Sequence, residues 1–244
     1  MDILGKLSAK SKITKNSNSI GSLKRNTEGL NNIGLGTILN NAKVIERTEI
    51  RTFGQFKKLK KTHKPTVYSD LIKVTPLAPG AMSSNPIFFD LDDTLIKTKS
   101  GGKFSRSPED WKWYNDKIVK KLRSLKDNAI VIVSNQAAVA AKKDSKSLSN
   151  ILSKIEYIFA DLQKDQEINI NNFFFFASTN KKGVMRKPEI GIFNEFKKVV
   201  TQDFDYTKSL FIGDAAGRNN DFSDSDLKFA QNAGLIFKIP EDFF

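Results

Sequence analysis

The stretch "IFFDLDDTLI" runs from Ile87 to Ile96 and starts as a strand buried on both faces. Ile87, Phe88 and Phe89 are apolar; then Asp90, Asp92 and Asp93 fall within four residues, followed by Thr94, Leu95 and Ile96. Carboxylates are costly to bury unless they are paired or bound to a metal ion. Three of them at the end of an apolar run therefore imply a shared ligand. In an extended segment, residues two apart point the same way, so Asp90 and Asp92 share a side and Asp93 points elsewhere.

Working outward, apolar runs alternate with helical patterns. "VYSDLIKVTP" (67–76) reads as an edge strand stopped by Pro76, and "APGAMSSNP" (78–86) as a loop. Ser107-Pro108-Glu109-Asp110 has an N-cap, a proline at the first helical position and early acids. It predicts a helix with Trp111, Tyr114, Ile118, Leu122 and Leu125 on one face. "AIVIVS" (129–134), "FFFFAS" (173–178), "SLFIGD" (209–214) and "LIFKI" (235–239) read as further buried strands. Between them lie helical patterns from about Ser147 to Leu162, from Pro188 through Ile192, Phe193 and Phe196, and over "DSDLKFAQNAG", ended by Gly234. Strands apolar on both faces, alternating with helices, make a parallel sheet covered on both sides. The fold expected is a doubly wound, Rossmann-like α/β domain, in which ligands bind beyond the C-terminal ends of the strands.

Composition narrows the chemistry. There is no cysteine among the 244 residues, which excludes disulfides, thiolate metal sites and cysteine nucleophiles. The one histidine, His63, stands in a lysine-rich stretch remote from the apolar runs, so a Ser/His/Asp triad or a phosphohistidine mechanism is set aside. No segment approaches the ~18 uninterrupted apolar residues of a membrane span, and no secretory leader is visible. The net charge of +13 is uneven: residues 1–64 carry 14 Lys/Arg against 4 Asp/Glu, a net +10. That segment is rich in Ser, Asn, Thr, Gly and Lys. It reads as a basic, largely disordered tail with a transient helix near "ILNNAKVIERTEI", leaving residues 65–244 as the folded domain. "FKKLKKTHKP" (56–65) suggests a nuclear address or a polyanion-binding patch, with a mitochondrial presequence as the alternative.

The strand ends are coherent. The first delivers Asp90, Asp92 and Thr94; the second Ser134, Asn135 and Gln136; after the third comes Arg186-Lys187-Pro188; the fourth delivers Gly213, Asp214 and "AAGRNNDFSDSD". Asp214 beside Asp90 and Asp92 crowds like charges, which a cation would relieve. All-oxygen ligands suit Mg²⁺, which also takes a substrate phosphate.

"DLDDTL", "IVIVSN", Lys187 and "FIGDAAGR" resemble the four ordered motifs of the haloacid dehalogenase superfamily. "SGGKFSRSPEDW", "SNQ", "RKPEIGIF", "GDAAGRNNDFSDSDLKFAQNAGL" and "PEDFF" resemble the DNA 3′-phosphatase domain of the polynucleotide kinase/phosphatase family, above all its stand-alone yeast form. The resemblance covers most of residues 67–244. It implies a Mg²⁺-dependent phosphatase that removes 3′-phosphates from DNA ends during strand-break repair. Asp90 would be the nucleophile that forms an aspartyl-phosphate, and Asp92 the general acid and base. Asp90, the Asp92 carbonyl and Asp214 would hold the metal. Ser134 and Lys187 would stabilise the phosphoryl group. Asp221, Asp224 and Asp226 are candidates for holding metal waters or Lys187. Thr94, Lys103, Arg106, Asn135, Arg186 and Arg218 are the expected substrate contacts, and Trp111 and Trp113 are aromatic candidates for base stacking.

The family's glycine after Asn-Gln is replaced by Ala137-Ala138, so that loop is expected to differ. No G-x-x-x-x-G-K-[ST] occurs, so no 5′-kinase activity is expected. The spacings leave room only for a small cap or none, which suits a polymeric substrate, and a monomer without membrane attachment is expected. The competing readings are a phosphatase of the same superfamily acting on a small molecule or phosphoprotein, and a non-catalytic nucleic-acid-binding protein on this fold.

Overall fold

In the computed structural model, seven strands form one sheet in the order β11-β10-β5-β8-β9-β4-β3. The structure describes residues 36–40, 43–50 and 56–244. The strands are β3 (His63–Val67), β4 (Leu71–Pro76), β5 (Ser84–Phe89), β8 (Asn128–Asn135), β9 (Phe173–Ser178), β10 (Leu210–Ile212) and β11 (Ile236–Lys238). β5, β8, β9, β10 and β11 run parallel, and β4 and β3 extend the sheet antiparallel beyond β9. Helices α2 (Ile118–Ser124) and α3 (Lys146–Leu162) cover one face; α4 (Gly191–Val199) and α5 (Ser225–Ala233) cover the other. This is the expected doubly wound α/β architecture.

The alternation of side chains along each strand builds the two cores. Phe89, Ile130, Ile132, Phe173 and Phe175 pack with Ile151, Ile155 and Phe159 of α3. Their neighbours Phe88, Val131, Val133, Phe174 and Phe176 pack with Ile192, Phe193 and Phe196 of α4 and with Phe229 of α5. Period-two alternation in strands apolar on both sides thus feeds two separate layers. The C-terminal ends of β5, β8, β9 and β10 are left along one edge.

Four expectations are corrected. First, β4 is not an edge strand: Tyr68-Ser69-Asp70 turn it back on β3, which takes the edge. Lys64 and Pro65 on β3 disguise it, and such residues are common on strands with one unpaired side.

Second, the packed body begins before residue 65. The compact unit containing the sheet runs from Ile33 to Phe244. Phe56 and Leu59 are buried, the latter in the short helix α1 (Leu59–Thr62). His63 is buried too: its Nε2 lies 3.1 Å from the carbonyl of Phe173 and its Nδ1 2.9 Å from Thr62 Oγ1. Residues 1–35, 41–42 and 51–55 of the expected tail lie outside the described residues.

Third, in place of the transient helix, β1 (Gly36–Asn40) and β2 (Lys43–Arg47) form an antiparallel pair, as their β-branched Ile38, Val44 and Ile45 favour.

Fourth, the helix expected from Ser107 begins only at Ile118. Lys112–Trp113 (β7) pairs with Ile96–Lys97 (β6) as a small flap. The Asp110 carboxylate accepts from Ser100 N, Ser100 Oγ and Arg106 N at 2.8–2.9 Å, so it folds the flap loop instead of opening a helix. This flap is the small cap.

Candidate active site

Each parallel strand delivers its polar residues to the same edge. β5 is followed at once by Asp90, whose backbone N–H bonds the carbonyl of Ile212 of β10. Asp93 adopts a left-handed φ of 58° in the turn that follows, and Thr94 is fully buried beneath it. The Thr94 hydroxyl donates to Asp214 Oδ1 (3.2 Å) and accepts from Asp214 N (3.1 Å), which ties β5 to the loop after β10. Thr94 therefore orients Asp214 and is corrected from a substrate contact to a positioning residue.

Lys187 is the centre of charge. Its ammonium contacts Asp90 Oδ1, sits 2.8 Å from Asp226 Oδ1, and donates to the carbonyl of Val133 at 2.9 Å. Asn135 holds the Lys187 main chain with both ends of its amide (3.0 and 3.1 Å), which fixes the position of Lys187. Asp226 Oδ2 also accepts from Ala215 N at 3.2 Å. A Cβ at position 213 would run into this carboxylate, so Gly213 is required for the close approach. Among the three acids left open by the sequence, Asp226 holds Lys187. Asp221 holds Arg218, with its oxygens 2.9 Å from Nε, and Asp224 pairs with Lys228 at 2.6 Å.

Carboxylate oxygens of Asp90, Asp214 and Asp226 lie within 4.8 Å of one another. Burial pushes Asp90 well above the usual carboxylate range. Lys187 pulls it back, and Asp226, Asp214 and Asp92 push it up again. Asp214 is pushed up to about 6, by burial first and then by Asp226. For Lys187, burial would favour the neutral amine, but Asp226 and Asp90 outweigh it and hold the ammonium charged. Three carboxylates thus face one ammonium. The donor set is all oxygen and short of positive charge, which fits a hard divalent cation. Asp226 has its two oxygens engaged, so Asp90 and Asp214 are the side chains best placed to bind one.

Asp92 is exposed at the mouth, and its Oδ2 accepts from Gln136 Nε2 at 2.6 Å; the same Nε2 group donates to Ser134 Oγ at 2.9 Å. Ser134 is buried, with its Oγ accepting that bond. Gln136 was not among the expected site residues, although it directly follows "SN". The Ala137-Ala138 departure is accommodated: Val139 N bonds the carbonyl of Gln136 at 2.9 Å, and no alanine there has positive φ.

The expected basic contacts are spread around this mouth. Arg218 is bound by Asp221 and Glu241 and reaches the carbonyl of Asp214 at 3.2 Å. Arg186 is half-buried, with its guanidinium 3.5 Å from the carbonyl of Asn180, and Arg106 is exposed on the flap loop. Lys103 lies 4.5 Å over the ring of Phe222 and 5.8 Å from that of Phe104. Phe104 and Phe222 are 75% and 83% exposed, unusual for phenylalanine, and sequence reading passed over both. By contrast Trp111 is buried against Trp113, whose indole donates to Asp161, so neither is free to stack.

With this geometry in view, a family model described as "Polynucleotide kinase 3 phosphatase" matches residues 85–244. The chain is similar to a bifunctional polynucleotide phosphatase/kinase of Schizosaccharomyces pombe, 40% identical over 65% of this chain and 37% of that one. It is also similar to polynucleotide 3′-phosphatases of Saccharomyces mikatae (32%) and Saccharomyces cerevisiae (31%), in each case over 75% of this chain and 96% or 99% of theirs. A solved structure from Mesorhizobium loti, described as a "putative had-like phosphatase", has the same fold, with a TM-score of 0.50 and 16% identity over 68% of this chain and 77% of that one. The chain belongs to the polynucleotide kinase 3 phosphatase family.

Proposed function

We propose that the protein is a Mg²⁺-dependent polynucleotide 3′-phosphatase that clears 3′-phosphates from DNA ends, in a nuclear setting where strand breaks are repaired. The observation that carries this reading is the buried Asp90–Lys187–Asp226 cluster beside Asp214, with exposed Phe222 on the loop that follows Asp214 and Lys103 over its ring next to exposed Phe104. Exposed aromatic faces with a cation suit a nucleic-acid end, since every base offers a face to stack on. The flap is small, so a polymer can enter without a lid having to open.

Asp90 attacks phosphorus: a bond forms from its carboxylate oxygen to phosphorus while the bond to the 3′-oxygen breaks. Asp92, at the solvent edge and held by Gln136, gives its proton to that departing oxygen. It then takes a proton from the water that attacks the aspartyl-phosphate, freeing phosphate and restoring Asp90. Lys187 neutralises charge on the phosphoryl oxygens, and the Ser134 hydroxyl donates to one of them. Asp90, Asp214 and the Asp92 carbonyl would hold Mg²⁺, which supplies further charge neutralisation for the phosphoryl group.

The test is phosphate release by the purified full-length protein from three compounds: an oligonucleotide with a 3′-phosphate, the same oligonucleotide with a 5′-phosphate, and p-nitrophenyl phosphate. Release from the 3′-phosphate with by far the highest kcat/KM is expected. A preference for the small ester would point instead to a small-molecule phosphatase.

A further inference from the structure

The basic run at residues 57–64 belongs to the folded body, yet the site described above does not use it. It holds five lysines and no acid. Its apolar members are already committed: Leu59 and His63 are buried, and Phe56 just before them is buried as well. The backbone is fixed too, because Lys58 N and Leu59 N both donate to Glu156 Oε1 of α3, at 2.8 and 3.0 Å. This glutamate is therefore occupied by main chain. Lys57, Lys58, Lys61 and Lys64 are exposed, and among the described residues none of the four makes an ion pair.

The patch is well away from the catalytic mouth. β3 is the far edge strand, four strands from β5, which is about 19 Å at ~4.8 Å per strand. It also starts at the opposite end of the sheet: His63 is bonded to Phe173, the first residue of β9, whereas the site lies where the strands finish. Four ammonium groups on a rigid support, unpaired among the described residues and with Glu156 as the one acid bonded to the run, make a local positive field that an anionic surface would neutralise.

We propose that Lys57, Lys58, Lys61 and Lys64 form a second nucleic-acid site, which grips the phosphate backbone of DNA remote from the end being processed. That identification of the partner rests on the reading of the protein as a polynucleotide phosphatase. Two features of the patch favour a phosphate backbone. The apolar side chains of the run itself are already buried in the core, and the one exposed apolar neighbour among the described residues, Leu77, whose N–H bonds the Thr62 carbonyl at 2.9 Å, is too small a surface for insertion into lipid. Lysine point charges suit sequence-independent phosphate contact, and the one hydroxyl among them, Thr62, is engaged with the Leu59 carbonyl and His63. Reading the run as an extended address would require pulling Leu59 and His63 out of the core, so anchoring to the polymer is the role the fold supports.

The experiment compares the full chain with its K57Q/K58Q/K61Q/K64Q variant and with the matching arginine variant; Lys60, which is engaged elsewhere, is left unchanged. Binding to a long duplex without 3′-phosphates is measured against salt, alongside turnover of a 3′-phosphorylated oligonucleotide of a few nucleotides. The glutamine variant is expected to lose on the order of tenfold or more in duplex affinity and about 3 from the log–log salt slope. Its turnover of the short substrate should be unchanged, and the arginine variant should keep the wild-type slope. An unchanged slope in the glutamine variant overturns the proposal. So does lysine-dependent binding to phosphatidylserine vesicles with duplex binding unaffected. If the wild type fails to hydrolyse the short substrate while duplex binding still depends on these lysines, the phosphatase reading falls and the patch stands.

Discussion

Lys187 Nζ lies 2.8 Å from Asp226 Oδ1 while the same ammonium contacts Asp90, so one buried cation is shared between the carboxylate proposed as nucleophile and a carboxylate at the start of α5. Asp226 is 1% exposed and its two oxygens face Lys187 and Ala215 N, which makes it a positioning residue for Lys187. Asp226→Ala should lower stability by on the order of 3 kcal/mol, because it leaves a buried ammonium with half its compensation. It should also lower kcat about a hundredfold with KM little changed, since Lys187 acts on charge that develops in the transition state. Asp226→Asn, which can still accept from Ala215 N, should recover part of the stability. Denaturant titrations and steady-state kinetics of both variants check this.

Removing the divalent ion should abolish turnover. Asp90, Asp214 and Asp226 are too close to one another to stay ionised around a single ammonium while a dianionic phosphate binds. Chelator should therefore stop phosphate release and added Mg²⁺ restore it. Ca²⁺ should restore it poorly, because its longer and looser coordination misplaces the phosphoryl group. The check is initial rates in chelator with each ion added back.

His63 gives a pH signature unconnected with catalysis. Burial lowers its pKa from 6.5 to about 4, against the hydrogen bond to Phe173. Below pH 6.5 the unfolded chain takes up a proton that the folded chain refuses until about pH 4. The contribution is thus fully present above 6.5 and is lost as the pH falls through that window, by on the order of 3 kcal/mol. In His63→Gln that component should vanish. Urea titrations of both proteins from pH 7 to pH 4 should give a steeper decline for the wild type, and parallel declines would contradict the assignment.

The N-terminal boundary can be located by deletion. Removing residues 1–32 leaves the compact unit intact and should preserve cooperative unfolding. Removing residues 1–64 takes away Phe56, Leu59 and His63 from the core along with the first residues of β3. Losing two such apolar side chains alone costs about 5 kcal/mol or more, comparable to the whole stability of a domain. That truncated chain should fail to unfold cooperatively in a thermal melt.

The parts of the fold that were legible in the sequence are those whose reason is local. β5, β8 and β9 are apolar on both faces, and the residues that terminate them are polar, so the sheet and the edge that carries the site follow directly. β3 was hidden because an edge strand needs only one buried side. Its Lys64 and the lysines just before it look like a tail until His63, Thr66 and Val67 are seen to be buried. The helix expected at Ser107 failed because Asp110 bonds across a loop to Ser100 and Arg106, a contact that no capping pattern records. Within the site, residue type and order pointed to Asp90, Asp92, Ser134, Lys187 and Asp214, which the strand ends bring to one edge. They could not show which way Thr94 and Asn135 turn, and both face partners inside the protein. Asp226 could be separated from Asp221 and Asp224 only by where α5 places it.

The central claim is that Asp90 becomes covalently bonded to the phosphoryl group it removes. Its most direct test is acid-quenched turnover of an oligonucleotide carrying a radiolabelled 3′-phosphate, comparing wild type with Asp90→Asn. Wild-type protein should retain acid-stable, alkali-labile label with Asp90 as the modified residue, and Asp90→Asn should retain none and release no phosphate while remaining folded. Phosphate release by Asp90→Asn at a substantial fraction of the wild-type rate, or label on the wild type at another residue, would contradict the account.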